Sequence, residues 1–383
     1  MVGLRGDVDV LTGPRDVDLV WDDLNLGSAA SFITESVLSI QTEYNMDLAT
    51  QVTVQVHDPD FVLARNHYFA IARTVWYRSF SHSGLEQPRD GGLVEGSRIW
   101  QRMEIASATM GQGSGLSAVW TIQLRPKGIQ QLKRKKDNKG ISGEGHNFIK
   151  NAAGWAGLYS VVQQVKGDTD SSWQAEGDDG HKESAWDVMS RVKGAASPKD
   201  EPYQFMMFEV DNVLFFGTQR WLLGQWGSQY KGGEETVFAA LGQKRVGMNY
   251  IYMGWPASLN ADGESQDTFR LLAMPQATRS DNNPLEVTGS IQVDRFNGRA
   301  LRPGMTILLD MERNEFGTRY FNGYYLISSV SFEHYGTGPV SVTFRSPERL
   351  AKDMPSIAIG DHGDPRKNSS RRAAIASDDQ IYY

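Results

Sequence analysis

The 383 residues, 40% hydrophobic and 22% charged, suit two or three domains of ordinary globular composition, which excludes a disulfide miniprotein and a disordered chain. Lys and Arg total 39 against 46 Asp and Glu, and the formal net charge of -7 argues against a dedicated nucleic-acid binder, whose footprint is basic. Cysteine is absent, so disulfides, thiolate metal sites and cysteine nucleophiles are excluded and packing must hold the fold.

The first stretch, Met1 to Asp23, carries six aspartates and two arginines without a sustained apolar run and does not read as a signal peptide. No segment approaches the roughly 18 uninterrupted apolar residues of a membrane span. From Phe32 to Leu124 the pattern is that of strands. Leu38 and Ile40 alternate with Ser39 and Gln41, and Val52, Val54 and Val56 with Thr53, Gln55 and His57, a period of two that gives one dry face and one wet. Asp58-Pro59-Asp60 stops the second of these, since proline cannot donate to a ladder and aspartate bonds local amides. Further strands are expected at Tyr68 to Ser79, Arg98 to Ile105 and Ser117 to Leu124, the last with Ala118, Trp120, Ile122 and Leu124 on one face. The Gly111 to Gly115 loop lies between the last two; it lacks the Lys-Ser/Thr and helix of a phosphate loop and reads as a hairpin connection.

Between Pro126 and Gly180 the character changes, with a basic run at Lys133, Arg134, Lys135 and Lys136, a Gly140 to Gly145 loop, a helical stretch from about Asn147 to Val165, and a polar Asp168 to Asp179 loop. Ser184 followed by Asp187 is a variant capping box, and Trp186, Met189 and Val192 then share a helical face, so a helix is expected over Ser184 to Ala195. Two strands follow, Tyr203 to Val210 and Val213 to Arg220, hinged on Asp211-Asn212 as a tight turn. Val237 to Leu241 reads as helical and Met248 to Met253 as a strand; further strands are expected at Leu285 to Gln292, Met305 to Met311, Tyr324 to Tyr335 and Val340 to Arg345. Beyond Leu350 the chain turns polar and basic and is expected to be mobile.

Candidate chemistry is sparse. Glu144 with His146 in a Gly-rich loop offers a carboxylate for general acid–base work but lacks the paired partner that hydrolysis of glycosidic bonds usually needs. His57, His67, His82, His146, His181, His334 and His362 show no His-x-x-x-His spacing. The Lys133 to Lys136 run reads as a solvated loop or one meeting an acidic partner in preference to a nucleic-acid contact. Among the ten tryptophans, Trp120 and Trp186 fall on apolar faces and read as core, not as sugar platforms. No catalytic, cofactor-binding or metal-ligating residue is assigned.

Specific punctuation sits near the C-terminal end. Leu301-Arg302-Pro303-Gly304-Met305 precedes the apolar run Thr306-Ile307-Leu308-Leu309, as a type II turn feeding a strand, and Phe321-Asn322-Gly323 turns the chain into Tyr324-Tyr325-Leu326-Ile327-Ser328-Ser329-Val330. With the closing strand Val340 to Phe344, and the Glu183 to Val192 helix placed before the Phe208-Glu209-Val210 and Leu214 to Gly217 hairpin, these resemble the tail-hub proteins of phages and related contractile injection machines. Phe148 to Leu158 is similar to the family's other joint helix, ending in a Gly-Leu step. The resemblance runs over about Phe32 to Pro347 and rests on element order and turns, none of them catalytic.

The expected fold is mainly β with a small α/β part, two barrel-like antiparallel β domains joined by a helix-plus-hairpin region. The divisions are 1–31, an N-terminal lead-in; 32–125, the first β domain; 126–260, the joint; 261–350, the second β domain; and 351–383, a C-terminal tail. The resemblance implies a non-enzymatic baseplate or tail hub, a homotrimer whose paired domains imitate a ring of six. It would bind the tail tube protein and the central spike protein, and also tape measure and baseplate wedge proteins, with DNA only in transit and no cofactor. It implies a virion location after assembly in the host cytoplasm. Polar strand faces such as Ser329, Ser331 and Glu333, or Ser341 and Thr343, would line a wet channel, or would merely face bulk solvent. The alternative is a cell-wall hydrolase or glycan-binding tail component.

Overall fold

The computed structural model of the chain describes residues 17–21, 36–79, 101–111, 117–134, 141–163, 172–175, 183–196, 205–222, 244–245, 248–249, 251–255, 269–280, 283–311, 323–334 and 338–345. The expectations for Val237 to Leu241, for Asn322, for the Asp168 to Asp179 loop apart from Ser172 to Ala175, for Lys135 and Lys136, and for the tail beyond Leu350 lie outside these residues.

The first part is β1 (Val17–Trp21), β2 (Val37–Asn45), β3 (Gln51–Pro59), α1 (Val62–Arg65), β4 (Thr74–Ser79), β5 (Gln101–Met110) and β6 (Ser117–Pro126). The joint holds α2 (Lys127–Lys133), β7 (Ile141–Glu144), α3 (Gly145–Trp155), β8 (Tyr159–Val162), β9 (Ser172–Ala175), α4 (Ala185–Ala196), β10 (Phe205–Val210), β11 (Val213–Thr218) and α5 (Gln219–Leu222). Within 126–260 there follow β12 (Lys244–Arg245), β13 (Met248–Asn249) and β14 (Ile251–Trp255), and the last part is β15 (Gln276–Ser280), β16 (Asn283–Val293), α6 (Arg295–Gly298), β17 (Thr306–Met311), β18 (Gly323–Glu333) and β19 (Val340–Arg345).

The mainly β class with a small α part holds. Alternation works as expected: Val52, Val54 and Val56 are fully buried while Thr53, Gln55 and His57 are not, and Ala118, Ile122 and Leu124 are buried with Trp120 partly so. The turn logic at Asp58 also holds, because its carboxylate accepts from the Leu63 amide at 2.8 Å and the Ala64 amide at 3.1 Å and so starts α1. The strand expected from Tyr68 begins only at Thr74; His67 and Ala72 take positive φ, 59° and 68°, which breaks an extended run.

The two β parts are not separate sheets. Twelve strands form one sheet in the order β1-β4-β5-β6-β3-β2-β18-β19-β16-β15, with β17 paired to β18 and β14 to β17. The link is the antiparallel ladder β2–β18, in which Asn45 faces Ser329 and Gln41 faces Glu333. Among the described residues the path is open, with β1 and β15 at its ends, so no barrel closes; the ladders of this sheet are antiparallel as expected except β14–β17, which is parallel.

Three hydrophobic clusters underlie this sheet. One centres on Val52, Val54, Tyr77, Met103 and Ile122, another on Phe269, Ile307, Leu309, Val330 and Phe344. The third packs α2, α3 and α4 against the small sheet β10-β11-β8, through Ile129, Phe148, Met189 and Phe216. That small sheet is buried on both faces, because Phe208, Val210, Val213 and Phe215 turn the other way and join the cluster of the second β part. Strands β10 and β11 accordingly read as apolar runs without alternation, broken in β10 by Glu209, while β8 keeps Tyr159 exposed at the sheet's edge.

Local signals in the joint are realised in detail. Ser184 Oγ accepts from the Asp187 amide at 3.1 Å, while the Asp187 carboxylate accepts from the Ser184 amide at 3.1 Å, a reciprocal cap that starts α4. Ser184→Ala is expected to cost about 1 kcal/mol in urea denaturation, and Ser184→Thr far less. Asp211 and Asn212 have φ of 52° and 64°, the type I′ geometry that matches hairpin twist. Gly304, with φ 85°, and the Met305 amide donating to the Arg302 carbonyl at 3.2 Å make the expected type II turn.

The expected helix to Val165 stops at Trp155. Gly157, at φ 71°, donates to the Gly154 carbonyl at 3.1 Å and Leu158 to the Ala153 carbonyl at 2.9 Å, a Schellman end after which Tyr159 to Val162 pairs in parallel with β11. The Gly140 to Gly145 stretch, read as a loop, contains β7.

Candidate functional site

The solvent-facing side of the long sheet is the feature that the ladder register builds. Strand pairing sets Thr109, Thr121, Gln55 and Ser39 in one transverse row, and Ser107, Gln123, Thr53, Gln41 and Glu333 in the next. A third row is Gln51, Glu43, Ser331, Ser341 and Gln292, and a fourth Asn45, Ser329, Thr343, Ser290 and Gln276. The four rows run from β5 to β15 and cross from one β part into the other at β2–β18.

All these side chains are exposed or half-buried, and within the rows only Glu43 and Glu333 carry charge; Arg125, on the same face of β6, interacts with Glu43, and Arg345 stands at the margin beside Thr288. Hydroxyls and amides bond one another within and between the rows: Ser329 Oγ with Thr343 Oγ1 at 2.6 Å in one row, and, between two rows, Gln41 Nε2 to Ser331 Oγ at 3.4 Å and Gln51 Nε2 to Thr53 Oγ1 at 3.3 Å. A wide hydrated surface whose few fixed charges, two carboxylates and two guanidiniums, balance offers neither a net cationic field for a polyanion nor an apolar patch for a protein. The face brings together Ser329, Ser331, Glu333, Ser341 and Thr343, as the sequence suggested, and extends them to Ser107 on one side and Gln276 on the other.

The joint is tied to both β parts by one turn. Asp211, at the tip of β10–β11, accepts from Arg302 Nε at 2.7 Å and from Gln101 Nε2 at 2.5 Å. The Arg302 guanidinium stacks on the Tyr44 ring, 4.4 Å from its centroid, and burial raises the Tyr44 phenol well above its ordinary range. Beside it, Thr42 Oγ1 bonds the Tyr77 hydroxyl at 2.7 Å and His334 Nε2 at 2.9 Å, all three buried. The sequence names Asp211 as a turn residue, Arg302 in the motif before β17 and His334 as a histidine without ligand spacing, but nothing in it brings them together, since the members come from β2, β4, β5, the hairpin, the turn before β17 and the end of β18.

The basic run is accounted for inside the chain where it is described. Arg134 pairs with Glu104, whose carboxyl is raised by burial against the lowering pull of Arg134 and Lys127, and the Lys133 ammonium lies 5.2 Å from the Trp186 ring centroid. Trp120 and Trp186 pack against their clusters, Trp120 with its ring 5.2 Å from Phe69. Glu144 is exposed at the end of β7; His146, half-buried on α3, is held below its ordinary value by burial and by Lys150. Among the described residues no group of three or more His, Asp or Glu converges to hold a metal ion, and no helix is long and apolar enough to cross a membrane.

No family model matches the chain, and no curated protein does. Among solved structures, the chain is similar to the 43 kDa tail protein of prophage MuSo2 from Shewanella oneidensis, at 8% identity and a TM-score of 0.46 over 87% of this chain and 97% of that one. It is also similar to the E. coli c3393 protein, described as a component of the type VI secretion system with structural similarity to the T4 tail proteins gp27 and gp5, at 11% identity and a TM-score of 0.46 over 86% and 76% of the two chains. The tail protein from Neisseria meningitidis MC58 follows at 10% identity and a TM-score of 0.39, over 80% of this chain and 90% of that one. Likeness at this level assigns neither a function nor a site residue.

Proposed function

We propose that this chain is a structural hub of a phage tail or contractile injection machine, three copies of which close a ring around a wet channel. The observation that carries the reading is the neutral polar face, continuous across both β parts of a single sheet. A solvated outer surface has no need to be nearly free of charge, whereas the wall of a conduit for a polyanion does, because fixed cations would hold the cargo and fixed anions would repel it. Supporting it are the two β parts in one chain, which let three copies present six similar units to a sixfold tube and a threefold face to a spike. The end strands β1 and β15 each pair on one side only among the described residues, and their outer edges leave ladder positions for neighbouring copies.

The capped α4 before the Asp211-Asn212 hairpin and the Pro303-Gly304 turn before β17 keep the order of elements that the hub resemblance requires. On this reading the partners are further copies of the chain, the tail tube protein and the central spike protein, with tape measure and baseplate wedge proteins beside them. DNA passes without being held, the location is the virion tail after assembly in the host cytoplasm, and no catalytic step is assigned.

The test is electron microscopy of the purified full chain, alone and with tube protein, alongside light scattering. Threefold rings with a central opening lined by Gln41, Thr53 and Ser331 are expected; a monomer under both conditions, or a ring whose polar rows face outward, overturns the proposal. Gln41→Lys with Ser331→Lys is expected to leave stability within about 0.5 kcal/mol, as surface changes do, yet to slow DNA release from assembled particles.

A further inference from the structure

The hairpin β10–β11 carries a second acid, Glu209, whose place in the fold differs from that of Asp211. Its side chain is completely buried, and it meets the β2–β3 turn in an isolated parallel bridge with Ala49. One carboxyl oxygen accepts from the Asn212 amide at 2.8 Å and the other from the Thr50 amide at 3.4 Å, while Thr50 Oγ1 donates to the Glu209 carbonyl at 3.4 Å. A single carboxyl therefore clasps the hairpin tip to the turn of the first β part.

The charged and titratable groups around it leave it without a counter-ion. On its own hairpin stands Asp211, an added negative charge, already claimed by Arg302 and Gln101. From β6, Arg125 donates to the Ala49 carbonyl at 3.5 Å, not to the carboxyl, and on the turn Asp47 is exposed and faces Arg345 at 3.6 Å. Beyond Arg302 lie the phenols of Tyr44 and Tyr77. Among the described residues no ammonium or guanidinium pairs with Glu209. An acid in such a place is most stable with its proton on.

We propose that Glu209 is a proton-controlled latch, closing the β10–β11 hairpin onto the β2–β3 turn when protonated and loosening it when ionised. The latch acts within one chain and does not depend on three copies forming a ring. Burial, added to by Asp211 and opposed by the Asn212 and Thr50 hydrogen bonds, pushes the carboxyl from 4.5 up to about 7. The docked form therefore holds a proton that the undocked form releases above pH 4.5, so docking is fully supported below that value and loses the support as pH rises through about 7. The opening equilibrium should grow by about tenfold per pH unit between pH 5 and 7 and level off above.

Hydrogen exchange on the full chain, corrected for the intrinsic pH dependence of exchange, reads this directly in peptides covering Ala49 to Gln51 and Glu209 to Val213. Wild type should lose protection over that window, and Glu209→Gln, which stays neutral, should show no such trend; a flat wild type, or an unchanged trend in the variant, overturns the latch. Should the variant fail to fold, carboxyl carbon NMR of glutamate-labelled wild type decides: one resonance with a midpoint near 7 supports it, and titration of every glutamate below about pH 5.5 refutes it.

Discussion

Asp211→Ala is expected to destabilise the protein by about 3–5 kcal/mol, the cost of leaving a buried cation without its partner. Arg302 is 5% exposed at its side chain, and the Asp211 carboxylate lies 2.7 Å from its Nε. Burial works against the charged guanidinium, and it is the carboxylate of Asp211, by its charge and its hydrogen bond, that holds the Arg302 proton firmly in place. Backbone carbonyls of Arg299 and Leu301, at 2.5 and 2.9 Å from Nη1, satisfy other protons but supply no countercharge. Because Asp211 also sits at φ 52°, an Asp211→Asn control keeps a residue that tolerates the left-handed turn and separates charge from backbone strain. Urea denaturation should rank alanine below asparagine below wild type, and Arg302→Met in the alanine background should recover much of the loss. A cost under about 1 kcal/mol for alanine would show that the joint is not anchored through this pair.

Gly289→Ala should be nearly as damaging, at or above the upper end of the roughly 1–3 kcal/mol that overpacking costs. A Cβ at this position would run into the Gln276 carbonyl oxygen on β15 and into the ring of Phe344 on β19. Phe344 is 1% exposed and packs on Tyr325, with centroids 4.8 Å apart, so its ring has nowhere to go. Trimming the ring would not help, because the backbone oxygen stays. The expected signature is local as well as global: hydrogen exchange should quicken first in Gln276 to Ser280, since β15 is paired only to β16 and is the strand able to leave. Unchanged protection of β15 in Gly289→Ala would show that the close approach is relieved elsewhere. If β15 also meets a neighbouring copy, the same variant should weaken ring assembly.

Strands of both β parts with one wet face were legible, since the alternation at Val52 to His57 and at Val340 to Arg345 states which side is dry without any tertiary knowledge, whereas Thr306 to Leu309 is buried throughout and showed only as an apolar run after a turn. Capping at Ser184 and Asp187, the Asp211-Asn212 turn and the Pro303-Gly304 turn were equally local, since each is decided by side chains within about four residues. The helix expected through Tyr159 to Val162 is not formed, because four residues are too few to display a period and their ladder partner β11 is distant in sequence.

What the sequence determined by itself was the class, the turns and the sidedness of each strand, for these follow from neighbours along the chain. Only the tertiary structure decided that β2 and β18, nearly three hundred residues apart, share a ladder, and hence that two polar faces become one. It alone placed Glu209 against Thr50 and Asp211 against Arg302. The reason is physical: a strand's alternation fixes which face is buried but leaves its edge partner free, and a buried charge gives no sign in sequence of the residue that will neutralise it.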